Sequence, residues 1–564
     1  MDPWRAFPVP AQRHEALHGD RVVRCFAERP PNVHAMLARA VAQRANHEAL
    51  VCDGRRWTYA ELDAQAGRIA AGLHARGISA GDRVALFIGN RPEFVFVLFA
   101  LQRLGAIAVP VGVREARPGL AYMLKQCGAK GIVFDADLAE RIPDDGDVPS
   151  LKLRVFIGIG IGIGIGIGIG TGPGTVPGAV ALDELQAAEF ASTPVAAVRE
   201  QDTAVILYTS GTTGNPKGAM LTHLNIAHSV LHFEACMRLR ADDRSALAVP
   251  ASHVTGLIAI IFAMVHVGGM VVIVPAFKAP DFVGLIARER VTHTLMVPAM
   301  YTLCLMTPEF ADHDLSRWRI GGYGGAPMPV ATIDALITRL PGIALLNAYG
   351  ATETTSPATM MPMGATRDHA DTVGVVLPAA DIRVMDDTGR ELPPGDTGEL
   401  WIAGPMVVPG YWANPAATAA SFTAGYWHSG DLGAVDAEGF VRVFDRQKDM
   451  LNRGGYKIFS VEVENVLMAW PGMAEAAIVG KPCPVLGERV HAFVHLSPVA
   501  SGAGASADTA ALRAFCSARL ADYKVPESVT WCDAPLPRNA NGKLMKRLLR
   551  DALAAERPPG QQKS

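Results

Sequence analysis

The chain has 564 residues, of which 49% are hydrophobic and 19% are charged. This length and this mixture predict several packed units with large cores, and they exclude a largely disordered chain. The 52 Lys and Arg residues nearly balance the 55 Asp and Glu residues, which gives a formal net charge of -3. A charge this small gives no indication of a nucleic-acid partner, so we expect none.

The cysteines and the N-terminus bear on the cellular compartment. The eight cysteines are scattered without a Cys-x-x-Cys pair, so the sequence indicates neither a disulfide framework nor a zinc site. Residues 1–16 carry charges and prolines and lack the apolar core of a signal peptide. We therefore expect a cytoplasmic protein.

The predicted elements alternate between short β-branched runs and helical patterns over the first 445 residues. In chain order they are strand 83–88, helix 93–104, strand 106–109, strand 204–208 and a helix after Thr222. A smaller series follows, with helix 461–468, strands 474–479 and 490–496, and helix 509–520. The pattern predicts a multi-layer α/β domain over residues 1–445 with substantial parallel sheet, and an α+β domain over residues 446–564.

Residues 157–170 repeat the dipeptide Ile-Gly seven times, and a second glycine-rich run extends to residue 178. Glycine at every second position costs backbone entropy and leaves no side chain to pack. The repeat lies between a strand that ends near Phe156 and a helix that begins near Leu182, where a surface connection can lengthen at small cost. We interpret residues 157–178 as an expanded loop, in preference to a ligand-binding segment.

Residues 254–274 are apolar over a length that suggests a membrane-spanning helix. His266 and the pair Gly268-Gly269 interrupt them, and a β-branched run follows over residues 270–274. A core helix followed by a buried strand accounts for this break better than a spanning helix does. We expect no transmembrane segment, and peripheral membrane contact stays open.

A run rich in glycine and hydroxyl residues follows the strand at 204–208. Backbone N–H groups, hydroxyls and one lysine can together surround a polyphosphate. The run is not a Walker motif, because Pro216 and Gly218 flank Lys217 where that motif needs Gly and then Ser or Thr. An ordinary turn before a helix uses the same residue types. We interpret the run as a phosphate loop whose ligands are Thr209, Ser210, Gly211, Thr212, Thr213, Gly214 and Lys217.

Six further motifs accompany this loop in a fixed order along the chain. They are Trp57-Thr-Tyr-Ala-Glu-Leu62, Gly324-Gly-Ala-Pro327, Asn347-Ala-Tyr-Gly-Ala-Thr-Glu353, Tyr426-Trp-His-Ser-Gly-Asp-Leu432, Asp445-Arg-Gln-Lys-Asp449 and Asn541-Gly-Lys543. With the loop, the series resembles the signature of the adenylate-forming superfamily, which contains acyl-CoA synthetases, luciferases and peptide-synthetase adenylation domains. The resemblance extends from about residue 35 to residue 550. It implies a large adenylation domain, a small mobile lid, and ATP, Mg²⁺ and coenzyme A as co-substrates.

The resemblance also implies the residues of the nucleotide site. Two segments would form the adenine pocket: Gly324, Gly325, Ala326, Tyr349 and Gly350. Thr352 would contact phosphate and Glu353 would bind Mg²⁺, roles that suit a hydroxyl and a hard carboxylate oxygen. Asp431 would accept hydrogen bonds from the ribose hydroxyls, and Arg446 would add a ribose or phosphate contact. Helix starts and surface turns use the same residue types, so these roles depend on the whole series of motifs.

Five further residues have roles in the family's two reaction steps. Lys543 would bridge the acid's carboxylate and the α-phosphate, where a positioned cation stabilises developing charge. Lys448 matches the hinge position of the lid. Gly454 and Gly455 would line the pantetheine passage, since glycine lets a ligand approach the backbone closely. His253 matches a gate near the acyl pocket, and Ser252 beside it is smaller than the bulky residue usual in the family.

These assignments predict an ATP-dependent acid:CoA ligase that forms AMP, acting as a monomer or a homodimer. The stretches 254–265 and 296–303, which we expect to line the acyl pocket, are apolar and offer no cation for a second carboxylate, so a medium- or long-chain fatty acid is favoured. Two enzyme alternatives stay open: an aromatic-acid CoA ligase, and a stand-alone adenylating enzyme that loads an acyl carrier protein. A catalytically silent nucleotide-binding scaffold is disfavoured, because Glu353, Asp431, Arg446 and Lys543 are all present.

Overall fold

The computed structural model describes residues 4, 9–158, 176–186, 195–209, 215–454, 456–496, 507–538 and 544–555. The chain forms two compact units, and successive segments between residues 383 and 441 belong alternately to one unit and the other. The large unit comprises Met1–Ile382, Trp401–His428 and Asp436–Val441, and the small unit comprises Arg383–Leu400, Ser429–Val435 and Arg442–Ser564. Both units combine helices with sheets, so the predicted α/β class is confirmed.

The strands are short, as is usual for twisted sheets in a multi-layer protein. In chain order they are β1 Gln12–Leu17, β2 Arg21–Phe26, β3 Glu48–Cys52, β4 Arg55–Thr58, β5 Arg83–Phe87, β6 Ile107–Pro110, β7 Gly131–Asp135, β8 Leu153–Ile157, β9 Val180–Ala181, β10 Thr203–Thr209, β11 Lys217–Thr222, β12 Arg244–Leu247, β13 Met270–Ile273, β14 His293–Met296, β15 Ile320–Tyr323, β16 Ala344–Ala351, β17 Ser356–Met360, β18 Val375–Val376, β19 Asp381–Met385, β20 Gly398–Ala403, β21 Phe422–Thr423, β22 Tyr426–Val435, β23 Val441–Arg446, β24 Leu451–Arg453, β25 Tyr456–Ile458, β26 Met473–Cys483, β27 Gly487–Leu496 and β28 Ser528–Trp531.

The helices begin and end at local sequence signals. They are α1 Val33–Arg44, α2 Tyr59–Ala75, α3 Pro92–Leu104, α4 Arg117–Cys127, α5 Leu182–Gln186, α6 His223–Met237, α7 Ala263–Val267, α8 Ala279–Arg288, α9 Pro298–Met306, α10 Val330–Arg339, α11 Pro415–Ser421, α12 Ser460–Met468, α13 Thr509–Ser517 and α14 Lys546–Ala555. Thr58 and Glu61 form a capping box at the start of α2, which satisfies two unpaired N–H groups. Pro92 opens α3, and Gly105 in a left-handed conformation closes it.

Two sheets with parallel centres organise the large unit. One has the strand order β11-β10-β6-β5-β7-β8-β9, and the other β18-β17-β16-β15-β14-β12-β13-β3-β4. Helix α3 packs on β3 of the second sheet and on β5 and β6 of the first. Most of its side chains are buried, with Arg103 as an exception. The predicted parallel sheet is therefore confirmed, and its β15 and β16 end at the edge where open α/β sheets bind ligands.

The apolar stretch after His253 forms a buried helix followed by a strand, as predicted. Its first part, Thr255–Phe262, is a π-helix, which the apolar pattern alone does not distinguish from an α-helix. Residues 257–264 are at most 1% exposed. In the parts of the chain that the structure describes, no helix combines the length and the apolar character that crossing a membrane requires.

The start of the glycine-rich insertion differs slightly from the prediction. Ile157 is the last residue of β8, is 5% exposed, and pairs with Asp135 on β7. Residues 159–175 lie outside the described residues, and β9 begins at Val180. The predicted loop therefore begins after Ile157, because that isoleucine is a core residue of the sheet.

The small unit has its own sheet and core. Strands β25-β24-β27-β26 are antiparallel neighbours, and β28 pairs parallel with β27. Side chains from α12 and α13, including Leu467 and Leu512, pack with Ile478 and Val494 of the sheet. A core of its own is expected of a separate folding unit. The functional boundary at residue 445 stays a prediction.

Histidines on α6 are buried in their neutral form. His228 Nε2 accepts a hydrogen bond from the Phe26 N–H at 3.1 Å, and His223 Nδ1 accepts one from the Val33 N–H at 3.3 Å. Burial lowers the pKa of His228 to about 3 and that of His223 to about 4. An unfolded histidine has a pKa of about 6.5, so below that pH only the unfolded chain binds these protons.

Stability of the large unit is therefore expected to fall as the pH drops from about 6.5 to about 4. Each such histidine contributes a slope of up to about 1.4 kcal/mol per pH unit in this window, and nothing above it. His228→Gln should reduce the pH dependence of the melting temperature, because glutamine does not titrate. His14→Gln, at an exposed position, is the control and should leave the dependence unchanged. Equal pH profiles for wild type and His228→Gln would contradict this explanation.

Candidate active site

The two flanks of the predicted phosphate loop lie side by side. Strands β10 and β11 are antiparallel, and Thr209 pairs with Lys217. Residues 210–214, which include the predicted ligands Ser210, Gly211, Thr212, Thr213 and Gly214, lie outside the described residues. Thr209 Oγ1 donates a hydrogen bond to Glu353 Oε1 at 3.4 Å. One predicted phosphate ligand thus contacts the predicted metal ligand directly.

Glu353 is 7% exposed and lies in a short 3₁₀ turn, Thr352–Thr354, at the carboxyl end of β16. The phenol of Tyr411 donates a hydrogen bond to Glu353 Oε1 at 2.9 Å. Burial and the neighbouring carboxylate raise the pKa of Tyr411 well above its usual value, so the phenol stays protonated and can donate. Lys217 Nζ lies 4.9 Å from the centre of the Tyr411 ring, a cation–π distance. The loop lysine, the tyrosine and the carboxylate therefore form one connected group.

The backbone after Glu353 is strained. Thr355 has φ +51° and Ser356 has φ +98°, values that are uncommon for residues with a side chain. The turn reverses the chain, so that β17 pairs antiparallel with β16. A Cβ on Gly350 would lie 1.6 Å from the Ser356 carbonyl oxygen. Gly350 is therefore required by backbone contact, and the strained turn fixes Glu353 relative to β16.

The two predicted adenine segments are neighbours. Gly324 directly follows β15, and Tyr349 lies on β16, which is parallel to β15. A Cβ on Gly324 would lie 2.4 Å from the Ala348 carbonyl oxygen, and Gly325 has φ +77°. Gly325 and Ala326 are exposed and Tyr349 is partly exposed. The fold thus brings the glycine turn and the aromatic ring to the same sheet edge as Glu353.

The predicted ribose residues lie together in the small unit. Arg446 Nε and Asp431 Oδ1 are 2.6 Å apart, with the arginine side chain 38% exposed and the aspartate 5%. Arg446 Nη1 also donates to the Ser429 carbonyl at 3.3 Å. The ion pair orients the carboxylate of Asp431, and the arginine side chain stays partly exposed.

The predicted hinge residue, Lys448, is exposed. Its carbonyl accepts a hydrogen bond from Arg550 Nη2 at 3.1 Å, and the same nitrogen is 2.5 Å from Asp449 Oδ1. Gly454 has φ +60°, and its N–H donates to the Leu486 carbonyl at 2.8 Å. Gly455 and Lys543 lie outside the described residues. Lys448 and Gly454 therefore belong to backbone turns whose conformations other small-unit residues support.

His253 lies at the entrance to the buried π-helix. Its Nδ1 accepts a hydrogen bond from the Thr255 N–H at 3.3 Å and lies 3.2 Å from Thr255 Oγ1. The ring is exposed, whereas the apolar residues that follow are buried. This placement is compatible with a gate, and it also gives His253 a structural part in starting the helix.

The donor set suits a magnesium ion that is shared with a nucleotide. Among the residues that the structure describes, no group of three or more His, Cys, Asp or Glu side chains is placed to hold a metal ion. Glu353 offers a hard carboxylate oxygen, and its contacts to Thr209 and Tyr411 both use Oε1. Mg²⁺ is commonly bound through one or two carboxylates together with substrate phosphates and water. Glu353 therefore fits the metal-ligand role that the sequence predicts, and it would hold Mg²⁺ together with the phosphates of the nucleotide.

Tyr411 is not predicted from the sequence, although it holds the predicted metal ligand. It lies 58 residues after Glu353, and no motif or spacing marks it. Its bridge to Ala219 on β11 places it beside the phosphate loop. Only the folded chain shows this contact, because it joins segments distant in sequence.

Comparisons with known proteins identify the family of the chain. Residues 37–412 match the family model of the AMP-binding enzyme, and residues 462–543 match that of the AMP-binding enzyme C-terminal domain. The chain is 34% identical over 493 residues to feruloyl-CoA synthase of Amycolatopsis sp, covering 87% of this chain and 93% of that protein. It is 33% identical over 506 residues to the long-chain-fatty-acid--CoA ligase FadD13 of Mycobacterium tuberculosis, covering 89% and 94%.

A solved structure extends the similarity to the fold. The anthranilate CoA ligase AuaEII, in complex with anthranoyl-AMP, matches with a TM-score of 0.82 at 25% identity, covering 93% of this chain and 98% of that one. The chain therefore belongs to the AMP-binding enzyme family of the adenylate-forming superfamily, as an AMP-forming acyl-CoA synthetase.

Proposed function

We propose that the enzyme activates a hydrophobic monocarboxylic acid, with a medium- or long-chain fatty acid favoured, and transfers the acyl group to coenzyme A. One group of contacts at the carboxyl end of β16 carries the proposal: Thr209 and Tyr411 hydrogen-bond to Glu353. Lys217 lies over the ring of Tyr411. A buried carboxylate beside a phosphate loop is suited to MgATP, and adenylation is the reaction that the family performs with it.

In the first step, a carboxylate oxygen of the acid attacks the α-phosphorus of ATP. The bond to the β-phosphate oxygen breaks, and pyrophosphate leaves. Thr209 and Lys217 would hold the phosphates, and Tyr349 beside Gly324 would hold the adenine. Mg²⁺, when bound, would neutralise charge on the leaving phosphates. No protein nucleophile is needed, so these residues act by position and charge.

In the second step, the thiol of coenzyme A attacks the acyl carbon of the adenylate. The bond to the phosphate oxygen of AMP breaks, the thiol gives up its proton, and AMP leaves. We propose that Gly454 and Gly455 line the passage of the pantetheine arm in this step. Glycine at both positions keeps the passage free of side chains.

The preference for an apolar acid rests on the two predicted pocket stretches. Neither 254–265 nor 296–303 contains a cationic side chain, and most of the first is buried. A second carboxylate placed there would lose its hydration without gaining a partner, which is costly. An aromatic acid satisfies the same condition, and the similarity to feruloyl-CoA synthase favours it as the second candidate.

A substrate panel tests the proposal. Purified enzyme is given ATP, Mg²⁺ and coenzyme A with octanoate, dodecanoate, palmitate, benzoate, ferulate or succinate, and AMP release is followed. We expect the straight-chain acids to give the highest kcat/KM and succinate to give none. A preference for ferulate or benzoate would replace the fatty acid by an aromatic acid. Turnover of succinate alone would overturn the pocket assignment. Phosphopantetheinylated acyl carrier protein, offered in place of coenzyme A, tests the alternative acceptor.

Removing the Tyr411 hydroxyl should weaken the metal site without removing it. In Tyr411→Phe, Glu353 loses its 2.9 Å hydrogen bond, so its carboxylate is less well oriented. We expect the Mg²⁺ concentration for half-maximal pyrophosphate release to rise about three- to tenfold, which is less than the full contribution of one hydrogen bond to a charged group because the carboxylate itself remains. Binding of Mn²⁺ in the presence of ATP gives a direct readout.

The matched control is Tyr426→Phe. Tyr426 also hydrogen-bonds a carboxylate, in this case that of Asp381. Its Mg²⁺ requirement should stay at the wild-type value. If both variants, or neither, changed the Mg²⁺ requirement, Tyr411 would have no specific part in the metal site.

A further inference from the structure

Helix α4 contacts the segments on both sides of the phosphate loop, although no residue of this helix is predicted to bind a ligand. On the side before the loop, the Tyr208 phenol donates to Gln126 Oε1 at 2.5 Å and lies 2.9 Å from the Met123 carbonyl. On the side after the loop, the Tyr122 phenol donates to the Pro216 carbonyl at 3.4 Å. One helix thus holds both ends of the loop.

Gln126 also reaches a third segment. Its Nε2 donates to the Trp412 carbonyl at 2.7 Å. Burial raises the pKa of Tyr208 far above its usual value, so its phenol is a hydrogen donor. The amide must then turn its oxygen to Tyr208 and its nitrogen to the carbonyl of Trp412, because only this orientation satisfies both partners. Bonding to both Tyr208 and Trp412 therefore requires a side chain of this length that carries both a donor and an acceptor.

The segments that Gln126 joins meet at Gly218. Tyr208 pairs with Gly218 across β10 and β11, and a Cβ on Gly218 would lie 3.3 Å from the Tyr208 ring. The Trp412 N–H donates to the Gly218 carbonyl at 2.7 Å. Tyr411, next to Trp412, holds Glu353. The position of Gln126 therefore affects both the flank of the phosphate loop and the support of the metal ligand.

We propose that Gln126 is a positioning residue for ATP: it fixes the register between the phosphate-loop strands and the 411–412 segment, so that loop and Glu353 together fit the triphosphate. The proposal rests on the role proposed above for residues 209–217 in binding phosphate. Gln126 itself has no expected contact with the nucleotide. Its effect should therefore appear in nucleotide affinity and be absent from acid affinity.

Gln126→Met tests this, because methionine has nearly the same length and forms neither hydrogen bond. We measure binding of α,β-methylene ATP, the KM values for ATP and for the acid, and the melting temperature. We expect the dissociation constant of the analogue and the KM for ATP to rise about tenfold, the effect of losing one to two hydrogen bonds. The KM for the acid should stay within about twofold. Lys125→Met, exposed on the same helix, should match wild type.

Tyr208→Phe and the double variant of Gln126→Met with Tyr208→Phe complete a double-mutant cycle with Gln126→Met. Because Gln126 and Tyr208 share a hydrogen bond, their effects on nucleotide affinity should be less than multiplicative in the double variant. Multiplicative effects would overturn the proposed coupling. Equal losses of ATP and acid affinity together with a lower melting temperature would show a general structural role, and would overturn the proposal as well.

A separate variant distinguishes this proposal from the one on which it rests. Lys217→Ala should weaken binding of the analogue if the loop binds phosphate. If Lys217→Ala weakens binding and Gln126→Met does not, only the inference about Gln126 fails. If Lys217→Ala has no effect, the phosphate-loop assignment itself fails.

Discussion

The Lys543→Ala variant is expected to lose pyrophosphate release by about 10²- to 10³-fold, equivalent to about 3–4 kcal/mol of barrier. The family resemblance implies that this lysine bridges the carboxylate of the acid and the α-phosphate. These two negatively charged groups approach each other in the transition state. In the proposed mechanism the second step does not use this charge. The variant should therefore still convert supplied acyl-adenylate and coenzyme A to thioester at nearly the normal rate.

The helix that follows Lys543 is anchored by partly buried charges of the small unit. Lys546, its first residue, lies 2.7 Å from Glu464 Oε1 and donates to Ser460 Oγ at 2.5 Å. Burial raises the pKa of both Glu464 and Asp445, and Lys546 opposes this rise. A short connection of two residues separates this anchor from Lys543.

Arg547→Ala is the control for loss of charge at the same end of the helix. Arg547 is exposed, and its removal should leave both half-reactions unchanged. A Lys543→Ala enzyme that releases pyrophosphate normally, or that also fails to use supplied adenylate while remaining folded, would contradict the assignment of Lys543 to the first step.

The Lys448→Pro variant is expected to show the opposite loss. Proline fixes φ near −65° and restricts the preceding residue, so the proposed hinge would be stiffened. A near-normal burst of pyrophosphate should be followed by thioester formation slowed about 10²-fold or more, because the proposed turn of the lid precedes the second step.

Lys448→Ala separates stiffness from charge. The Lys448 carbonyl, which accepts from Arg550, is retained in both variants. Alanine leaves the backbone free, so thioester formation should stay near the wild-type rate. If Lys448→Ala slowed the second step as much as Lys448→Pro, the lysine side chain and not backbone rotation would be responsible. If Lys448→Pro and Lys543→Ala each lost both steps equally while folded, the two-position lid would have to be abandoned.

Much of the fold follows from local sequence signals. The strand at 83–88, the helix at 93–104 and the helix after Thr222 appear within about one residue of their predicted bounds. These segments have clear periodicity, and caps or a proline mark where the helices begin. The π-helix at Thr255–Phe262 was predicted only as a core helix. Every residue in it is apolar or small, so the sequence has no hydrophobic periodicity from which the number of residues per turn could be predicted.

The candidate site was predictable where a motif carries the chemistry. Thr209, Lys217 and Glu353 are predicted from motifs, and the fold places them near one another. Tyr411 and Gln126 are not predicted, because their proposed roles depend on hydrogen bonds between segments that are distant in the sequence. Such positions have neither spacing nor unusual composition, so only tertiary structure identifies them.

The most direct test of adenylate formation is the exchange of labelled pyrophosphate into ATP. Enzyme, ATP, Mg²⁺ and labelled pyrophosphate are incubated with and without dodecanoate, and with and without coenzyme A. The mechanism predicts exchange that requires both dodecanoate and Mg²⁺ and proceeds without coenzyme A, with AMP as the nucleotide product once coenzyme A is added. This test applies once the substrate panel has shown that dodecanoate is turned over. Exchange that requires coenzyme A, or formation of ADP in place of AMP, would then contradict the mechanism.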